Sequence, residues 1–266
     1  MTDNAIELSI LLPAFLAGLL VLATHVPMGQ QVLNRGIVFI DLAIAQVAGL
    51  GVTIASTVGG GDVVGWHVQV AACVAALVGA LALTWTEKAW PAVQEALIGV
   101  LFVVAACVEL LLLANNPHGG EHLKDLLVGQ ILWVQIPNLI PIAVFYAAAL
   151  AVWFLARQRL GQIGFYVLFA LVVTQSVQLV GVYLVFASLI IPALASRRFA
   201  PKLRLWVGYG VGVLGYVAGL LISALFDLPT GAAIVVTLVG AFVLAVIASL
   251  LVPASLRAEP EAAPAH

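Results

Sequence analysis

The sequence predicts an all-α, polytopic integral membrane protein with about eight or nine transmembrane helices. The first observation behind this is composition: of 266 residues, 64% are apolar and 8% are charged, and the mean hydropathy is +1.19. Soluble domains carry roughly 25% charged residues. The second is length, because a spanning helix needs about 20 largely apolar residues. The third is the placement of the basic residues, described below.

Hydropathy divides the chain into nine apolar segments, separated by stretches with turn chemistry. The predicted spans are 8–27, 37–57, 64–86, 91–114, 137–156, 163–178, 180–197, 205–225 and 230–252. The breaks include 59–62, 115–120 and 227–231, which are rich in Gly, Asn, Asp and Pro. The segment 125–135 is too short to span a bilayer, so we expect it to lie at the surface or to re-enter.

The two ends of the chain are interpreted differently. The first apolar segment follows Asp3 and contains no basic leader or small-residue cleavage site, so it is predicted to be a retained helix and not a signal peptide. Residues 1–252 are predicted to form a single transmembrane domain. The Ala-, Pro- and Glu-rich stretch 253–266 is predicted to be a disordered cytoplasmic tail.

The stretch 163–197 is too long for one span and short for two. If the amino terminus lies outside and this stretch crosses twice, nine of the ten Lys and Arg residues fall on the cytoplasmic side, and Lys124 alone is outside. The positive-inside rule expects that distribution. A single crossing would place the basic cluster at 197–204 outside. We therefore predict two shortened helices that meet near Val180 and Gly181.

Two classes of activity are set aside by the sequence. It contains no basic block of the kind that binds nucleic acid, and its formal net charge is −2. It also contains no Walker-type glycine loop and no soluble catalytic domain. The chain is therefore not expected to be an enzyme, and any ATP hydrolysis is expected on a separate chain.

Four ionisable side chains fall inside predicted spans, where such groups are costly and tend to mark pathways. Asp41 lies one turn into the second span, Glu95 one turn into the fourth, Glu109 further along the fourth, and His25 near the inner end of the first. Asp41 and Glu95 have an alternative role, because a carboxylate at a helix N-terminus offsets the helix dipole. His25 also has an alternative role, as a histidine at a helix end whose hydrogen bonds are satisfied. Glu109 lies between apolar runs, so it must face a partner, a cavity or water.

Two further polar groups have ordinary explanations beside functional ones. Gln175, Ser176 and Gln178 form a patch where the two short helices would meet, and interhelical hydrogen bonds explain them as well as a pore does. The outer segment 118–122 holds two histidines and Glu121. Borderline metals use such ligands, but the spacing matches no defined metal site, and a solvated loop is the favoured interpretation.

Five motifs lie in order along nearly the whole chain. They are RGIVFIDLAIAQVAGLG at 35–51, EALIG at 95–99, LVGQIL at 127–132, VGVYLVFASLIIPALASRRFA at 180–200 and DLPTGA at 227–232. Together they resemble the permease subunit of the bacterial zinc/manganese ABC importers. Each motif is weak alone, and their common order makes the resemblance specific.

The resemblance implies a homodimer in the bacterial inner membrane that works by alternating access. It implies two kinds of partner protein, a cytoplasmic ATPase subunit and an extracytoplasmic metal-binding receptor. The transported substrate would be Zn²⁺ first and Mn²⁺ next, with no permanently bound cofactor. Asp41, Gln46, Glu95 and Glu109 are then predicted to line the metal path, meaning the route that the ion takes through the protein.

One departure from the family concerns the second helix. The family usually carries an aspartate there and, four residues later, a histidine, both on the metal path. Anchored on Gly51, the histidine position is Gln46 here, the aspartate position is Leu42, and Asp41 lies one residue early. One residue on a helix is a rotation of about 100°. Gln46 offers a neutral oxygen where an imidazole would favour zinc.

A second departure is the segment 156–162. In the family this cytoplasmic stretch is longer and holds the coupling helix that fits the ATPase groove. Here Arg157, Arg159 and Gly161 are predicted to contact the ATPase, with help from the cluster at 197–204. The short segment leaves open an ion-coupled secondary transporter or channel without an ATPase, and a scaffold or sensor subunit of a metal-uptake complex.

Overall fold

The structure is a computed structural model that describes residues 3–58, 66–114, 119–156, 159–251 and 256. Ten α-helices occur in these ranges and no β-strand does, which confirms the all-α fold class. The helices are α1 (Asp3–Arg35), α2 (Ile40–Val58), α3 (Trp66–Ala89), α4 (Gln94–Leu113), α5 (Gly119–Val128), α6 (Ile136–Ala156), α7 (Gly161–Val180), α8 (Val182–Ser196), α9 (Arg204–Phe226) and α10 (Thr230–Leu251). Short 3₁₀ turns at Pro91–Val93 and Ile131–Trp133 precede α4 and α6.

Several sequence predictions fall outside the described ranges. They concern the turn at 59–62, the loop start at 115–118, Arg157, and the tail apart from Leu256. The Leu256 carbonyl accepts a hydrogen bond from the Ala200 backbone N–H at 3.0 Å. The tail prediction therefore stays a prediction.

Eight of these helices are long and apolar enough to cross a bilayer: α1, α2, α3, α4 with its 3₁₀ turn, α6, α7, α9 and α10. Helix α8 is equally apolar but shorter, with 15 residues. Their outward surface is apolar, as shown by Leu155 and Leu251, which are 88% and 82% exposed. The molecule is a multi-pass membrane protein, because only a lipid environment suits that surface.

Helix α1 extends well beyond the predicted span of 8–27, and α2 starts later than predicted, so these two boundaries were wrong. The apolar run gives way to polar residues after Pro27, which suggested that the helix ends there. The helix continues, because the side chain of Gln30 is hydrogen-bonded inside the bundle. Gln30 donates to Ser196 Oγ on α8 at 3.2 Å. Gly29 allows the close approach, since a Cβ there would lie 2.0 Å from the Leu189 carbonyl oxygen. His25 is consequently in the interior of α1 and not near its end.

Helices α7 and α8 run through the bundle in opposite directions. The Arg35 guanidinium, at the end of α1, lies 4.2 Å from the ring centroid of Phe165 near the start of α7. The end of α8 also meets the last turns of α1, through Ser196 and Gln30. The start of α7 and the end of α8 are therefore at the same end of the bundle. This antiparallel arrangement agrees with the predicted double crossing of 163–197, which stays a prediction, and it puts the basic cluster at the Arg35 end.

Close contacts of backbone with backbone hold the turn between α7 and α8 in place. Gly181 (φ 83°) and Gly129 (φ 73°) adopt conformations that favour glycine. A Cβ on Gly129 would lie 2.2 Å from the Val180 carbonyl oxygen, and one on Gly231 would lie 2.4 Å from the Val128 carbonyl oxygen. The end of α5 is thus wedged between this turn and the start of α10. Both alternatives for 125–135, a surface segment and a re-entrant one, stay predictions.

At the opposite end, α6 and α7 are joined by a tight turn. The N–H groups of Arg159 and Leu160 both donate to the Ala156 carbonyl, at 2.8 and 3.0 Å, and Gly161 has φ 56°. The described part of this turn contains no helix that could project from the bundle. Arg159 and Gly161 lie on its exposed surface.

We predict that Gly181→Ala lowers the thermal stability of the detergent-solubilised protein. The backbone conformation alone should cost about 1–3 kcal/mol, and a Cβ there would meet the Gly129 nitrogen at 2.4 Å. Thermal unfolding followed by size-exclusion chromatography measures the midpoint. Gly240→Ala on α10 is the matched control, because a Cβ there meets nothing within 4 Å. Equal midpoints for the two variants would contradict the packing described.

Candidate functional site

Glu109 is a fully buried carboxylate held between two membrane helices. Its exposure is 0%, and it lies on α4 among apolar neighbours. Thr53 Oγ1 on α2 donates to Glu109 Oε1 at 2.9 Å, and the Gln46 side-chain amide, also on α2, donates to Glu109 Oε2. We call Glu109, Gln46 and Thr53 the Glu109 cluster. It satisfies the expectation that Glu109 faces a partner.

The periodicity of α2 explains how two of its side chains reach one carboxylate. Gln46 and Thr53 are seven residues apart, about two turns, so both face α4. Gly49 lies between them on the same side. A Cβ on Gly49 would lie 3.5 Å from Glu109 Oε1 and 3.8 Å from Oε2, so the missing side chain is what leaves room beside the carboxylate.

The cluster lies beside two spaces. A small space of about 10 Å³ is lined by Gln46, Gly49 and Glu109, together with apolar residues of α2, α5, α7 and α8. An open cavity of about 640 Å³ lies between α2, α4, α5, α8 and α10 and is almost entirely apolar. Gln46 lines both spaces, so its amide stands between the open cavity and the buried carboxylate.

Asp41 is also fully buried, but its side chain does not join the Glu109 cluster. Its Oδ1 accepts the backbone N–H of Leu42 at 2.9 Å, while Oδ2 has no hydrogen-bond partner within the described ranges. Leu42, and not Asp41, lines the open cavity. This agrees with the rotation expected from the one-residue offset. Asp41 lines neither of the two spaces described above.

Glu95 and His25 make local contacts. Glu95 Oε1 accepts the backbone N–H of Phe39 at 3.1 Å, just before α2, so this carboxylate caps the neighbouring helix. It also shows that α2 and α4 start at the same end and run parallel. His25 Nδ1 lies 2.9 Å from the Val21 carbonyl oxygen and 3.1 Å from Thr24 Oγ1, and its Nε2 has no partner among the described groups.

The polar patch on α7 makes interhelical hydrogen bonds. Gln69 on α3 donates to Gln175 Oε1 at 3.0 Å, and Ser176 Oγ lies 2.5 Å from the Tyr146 hydroxyl on α6. Gln178 is exposed. For Gln175 and Ser176, the structure therefore supports a role in interhelical hydrogen bonding and not in lining a pore.

Sequence reasoning missed Thr53 and Gly49. The available signal was their spacing from Gln46, because positions 46, 49 and 53 share one face of a helix. Without the position of α4, nothing indicated that this face meets Glu109. Thr and Gly are also common at helix contacts in membranes, so neither residue stands out by type.

The side chains of the described residues include no group of three or more His, Cys, Asp or Glu that could hold a metal ion. His118 and the side chains of Glu121 and His122, in the segment 118–122, lie outside the described part of the chain. Among the described side chains, the polar groups at Glu109 are the Gln46 amide and the Thr53 hydroxyl.

The fold and this site define a multi-pass helical protein with a buried carboxylate beside an open apolar cavity, an arrangement that marks transport pathways in membranes. The chain belongs to the ABC 3 transport family, whose family model matches residues 7–165 and 159–249. This confirms the resemblance drawn from the five motifs.

Several known proteins are similar along most of their length. The manganese transport system membrane protein MntC of Halalkalibacterium halodurans is 27% identical, with 91% of this chain and 88% of that protein covered. The high-affinity zinc uptake system membrane protein ZnuB of Haemophilus influenzae is 25% identical, with coverage of 88% and 96%. The PsaBC structure from Streptococcus pneumoniae, in complex with Fab, superposes with a TM-score of 0.72 over 92% of this chain and 95% of that one. At 22% identity it shows the fold.

We predict that Gln46→Leu destabilises the protein and that Glu109→Leu in the same chain recovers part of the loss. The first change removes a hydrogen bond from a buried carboxylate, which costs about 1–3 kcal/mol or more, whereas the double change leaves an apolar contact. Thermal midpoints of the wild type, both single variants and the double variant give the coupling energy, expected at roughly 0.5–3 kcal/mol. Additive effects would contradict the observed contact.

Proposed function

We propose that this chain is the permease subunit of an ATP-driven importer of divalent transition-metal ions, Zn²⁺ or Mn²⁺. The observation that carries the proposal is the Glu109 carboxylate, buried behind Gln46 at the wall of the open cavity. Membership of the ABC 3 transport family supports it, as do the manganese and zinc systems named for the similar proteins.

The proposed metal path contains Gln46 and Glu109 in the part near α5, with Asp41 closer to the start of α2 and Glu95 behind it. An apolar wall interacts weakly with an ion, so a single buried charge can bind it without holding it permanently. Asp41 supports a place on the path because it is fully buried with one oxygen unpartnered among the described groups. Glu95 has the weaker case, because its contact with Phe39 already explains it.

The proposed assembly has a second copy of this chain across the open cavity. The rim of that cavity carries exposed apolar side chains, Tyr183 (53%) and Val236 (70%) among them, which a second copy would cover. The ATPase would bind at the Arg35 end and the metal-binding receptor at the end where α5 lies. The proposed location is the bacterial inner membrane, and ATP hydrolysis is assigned to the ATPase chain.

The ion-coupled alternative is not favoured by the family membership. Its remaining support is the tight α6–α7 turn, which replaces the longer coupling segment expected from the resemblance. Uptake measured after ATP depletion and, separately, after collapse of the proton gradient tells the two mechanisms apart. Uptake that survives ATP depletion and stops with the gradient would favour the alternative.

We predict that a strain lacking this protein loses cellular zinc or manganese under metal limitation, and that wild type restores it. Glu109→Gln and Asp41→Asn should restore less, with initial uptake for the Glu109 variant down roughly tenfold, because the lost charge contact is of the order of 1.5–3 kcal/mol. Elemental analysis of the cells and initial uptake rates measure this. Gln178→Ala on the exposed face of α7 is the control. Unchanged metal content in the deletion strain would contradict the proposal.

We predict that Arg159→Glu lowers the amount of ATPase that co-purifies with the full chain, and that adding Lys202→Glu lowers it further. Both residues are exposed at the Arg35 end of the bundle. Lys124→Glu on α5, at the opposite end, is the matched charge reversal and should leave co-purification unchanged. Equal recovery of ATPase with all three variants would contradict the assigned contact surface.

A further inference from the structure

The exposed turn between α6 and α7 is joined to the first turn of α7 by backbone hydrogen bonds. Leu160 donates to the Ala156 carbonyl at 3.0 Å, and Gly164 donates to the Leu160 carbonyl at 3.0 Å. Gly161, with φ 56°, allows the change of direction at the start of the helix. Because the turn leads directly into α7, a displacement of the turn moves the start of α7 with it.

The two helices beside this turn converge on the ring of Phe165. The last residues of α6 expose Phe154 and Leu155 at the surface, whereas Trp153 is buried with its ring centroid 6.0 Å from that of Phe165. On α7 itself, the ring of Phe169 stacks on Phe165 at 5.6 Å. Because neighbouring rings restrict the Phe165 side chain, its position is tied to that of the α6–α7 turn.

Phe165 in turn contacts the end of α1. Arg35 is the last residue of α1, and its guanidinium carbon lies 4.2 Å from the centroid of the Phe165 ring. That distance is well within the range of a cation–π interaction. The ring is 2% exposed, and such an interaction is stronger where water is excluded. The start of α7 and the end of α1 are therefore held together by one specific contact.

Arg35 leads into a well-defined connection between α1 and α2. The Ile37 N–H donates to the Val32 carbonyl at 3.4 Å. The Gly36 N–H donates to the Leu33 carbonyl at 3.3 Å, and Gly36 has φ 70°. These are the two hydrogen bonds of a Schellman cap. Since the cap fixes the chain where it leaves α1, a shift of Arg35 is passed to the start of α2.

The start of α2 contacts the wall of the open cavity. The Phe39 ring stacks on that of Phe186 on α8, with centroids 6.3 Å apart and planes at 8°, and Phe186 lines the cavity. The Phe39 N–H also donates to Glu95 at the start of α4. Leu42 and Gln46, further along α2, line the same cavity. A series of described contacts thus joins the α6–α7 turn to the cavity wall.

We propose that the contact between Arg35 and Phe165 transmits movement of the ATPase-bound α6–α7 turn to the wall of the open cavity, and so couples ATP hydrolysis to metal import. The inference rests on the proposed function and adds to it the residues that link the ATPase surface to the transport path. Neither residue lines the cavity, so both are positioning residues. Their role is defined by a coupling between two events, and a coupling is established by measuring it.

The test measures metal import and ATP hydrolysis together, in proteoliposomes that contain the full chain with its ATPase and are supplied with the metal-binding receptor. Import of radioactive manganese or zinc, divided by the ATP hydrolysed in the same sample, gives the coupling ratio. Phe165→Leu, which keeps an apolar side chain and removes the ring, is expected to lower this ratio roughly three- to tenfold, as the loss of a cation–π contact can. Recovery of the ATPase should stay at the wild-type level.

A second variant breaks the same contact from the other side. Arg35→Met removes the charge and keeps an unbranched side chain, and Arg35 is only partly buried, so this variant carries the test if Phe165→Leu fails to accumulate. Because both changes remove one contact, the double variant should have a ratio no lower than the single variants. Effects that multiply in the double variant would overturn the proposal. Loss of ATPase binding by Arg35→Met would also overturn it, since Arg35 would then belong to the docking surface.

Phe145→Leu on α6 is the matched control, because the Phe145 ring meets that of Tyr146 and no cation among the described residues. Its coupling ratio should equal that of wild type, and an equal fall in this variant would contradict a specific role for the Arg35 contact.

The outcomes separate this inference from the proposed function. If the wild-type complex imports neither metal in the presence of ATP, the importer assignment fails and the inference fails with it. If wild type imports metal and Phe165→Leu has an unchanged coupling ratio, the importer stands and the link through Arg35 is wrong. If the ratio falls while ATPase recovery and hydrolysis are kept, the link is supported.

Discussion

The packing of α2 against α4 depends on one constraint, which is that the buried Glu109 carboxylate must be hydrogen-bonded. An ionisable group inside a membrane-spanning helix costs up to about 2.5–3.5 kcal/mol on insertion scales, and helices in lipid gain little by simply burying apolar surface against each other. Glu109 meets that cost by accepting from Gln46 and Thr53. These two bonds fix α4 along α2, and the Glu95 contact with Phe39 fixes the same pair at the other end.

The other half of the bundle is positioned by close backbone contact. Gly129, Gly181 and Gly231 bring the end of α5 against the α7–α8 turn and the start of α10, at distances that no side chain would permit. Because α5 is fixed there, its leucines line the small space beside Glu109 and border the open cavity. The candidate site therefore needs two sets of contacts. Helices α2 and α4 supply the hydrogen bonds to Glu109, and α5 supplies the apolar side chains beside it.

Composition and charge were sufficient to predict the helical membrane fold and the reversal at Gly181, because lipid leaves few alternatives for an apolar chain. The end of α1 was mispredicted because Gln30 reads as polar in the sequence and is satisfied only by Ser196, far along the chain. Glu109 and Gln46 were both singled out, but their contact was not predicted. Pairing them requires the relative position of α2 and α4, which no single-helix periodicity contains. Thr53 was missed for the same reason.

The departures from the family acquire a common explanation once the geometry is known. Moving the aspartate to position 41 turns it about 100° away from Leu42, and Leu42 is the residue that lines the open cavity. A carboxylate is nevertheless present beside that cavity, supplied by Glu109 from α4. The negative charge near the proposed path is thus retained while the imidazole is lost, and charge and ligand type are the two properties that set cation binding. The differences on α2 therefore change the groups that this helix offers along the proposed path, while the buried negative charge beside the open cavity is supplied by α4.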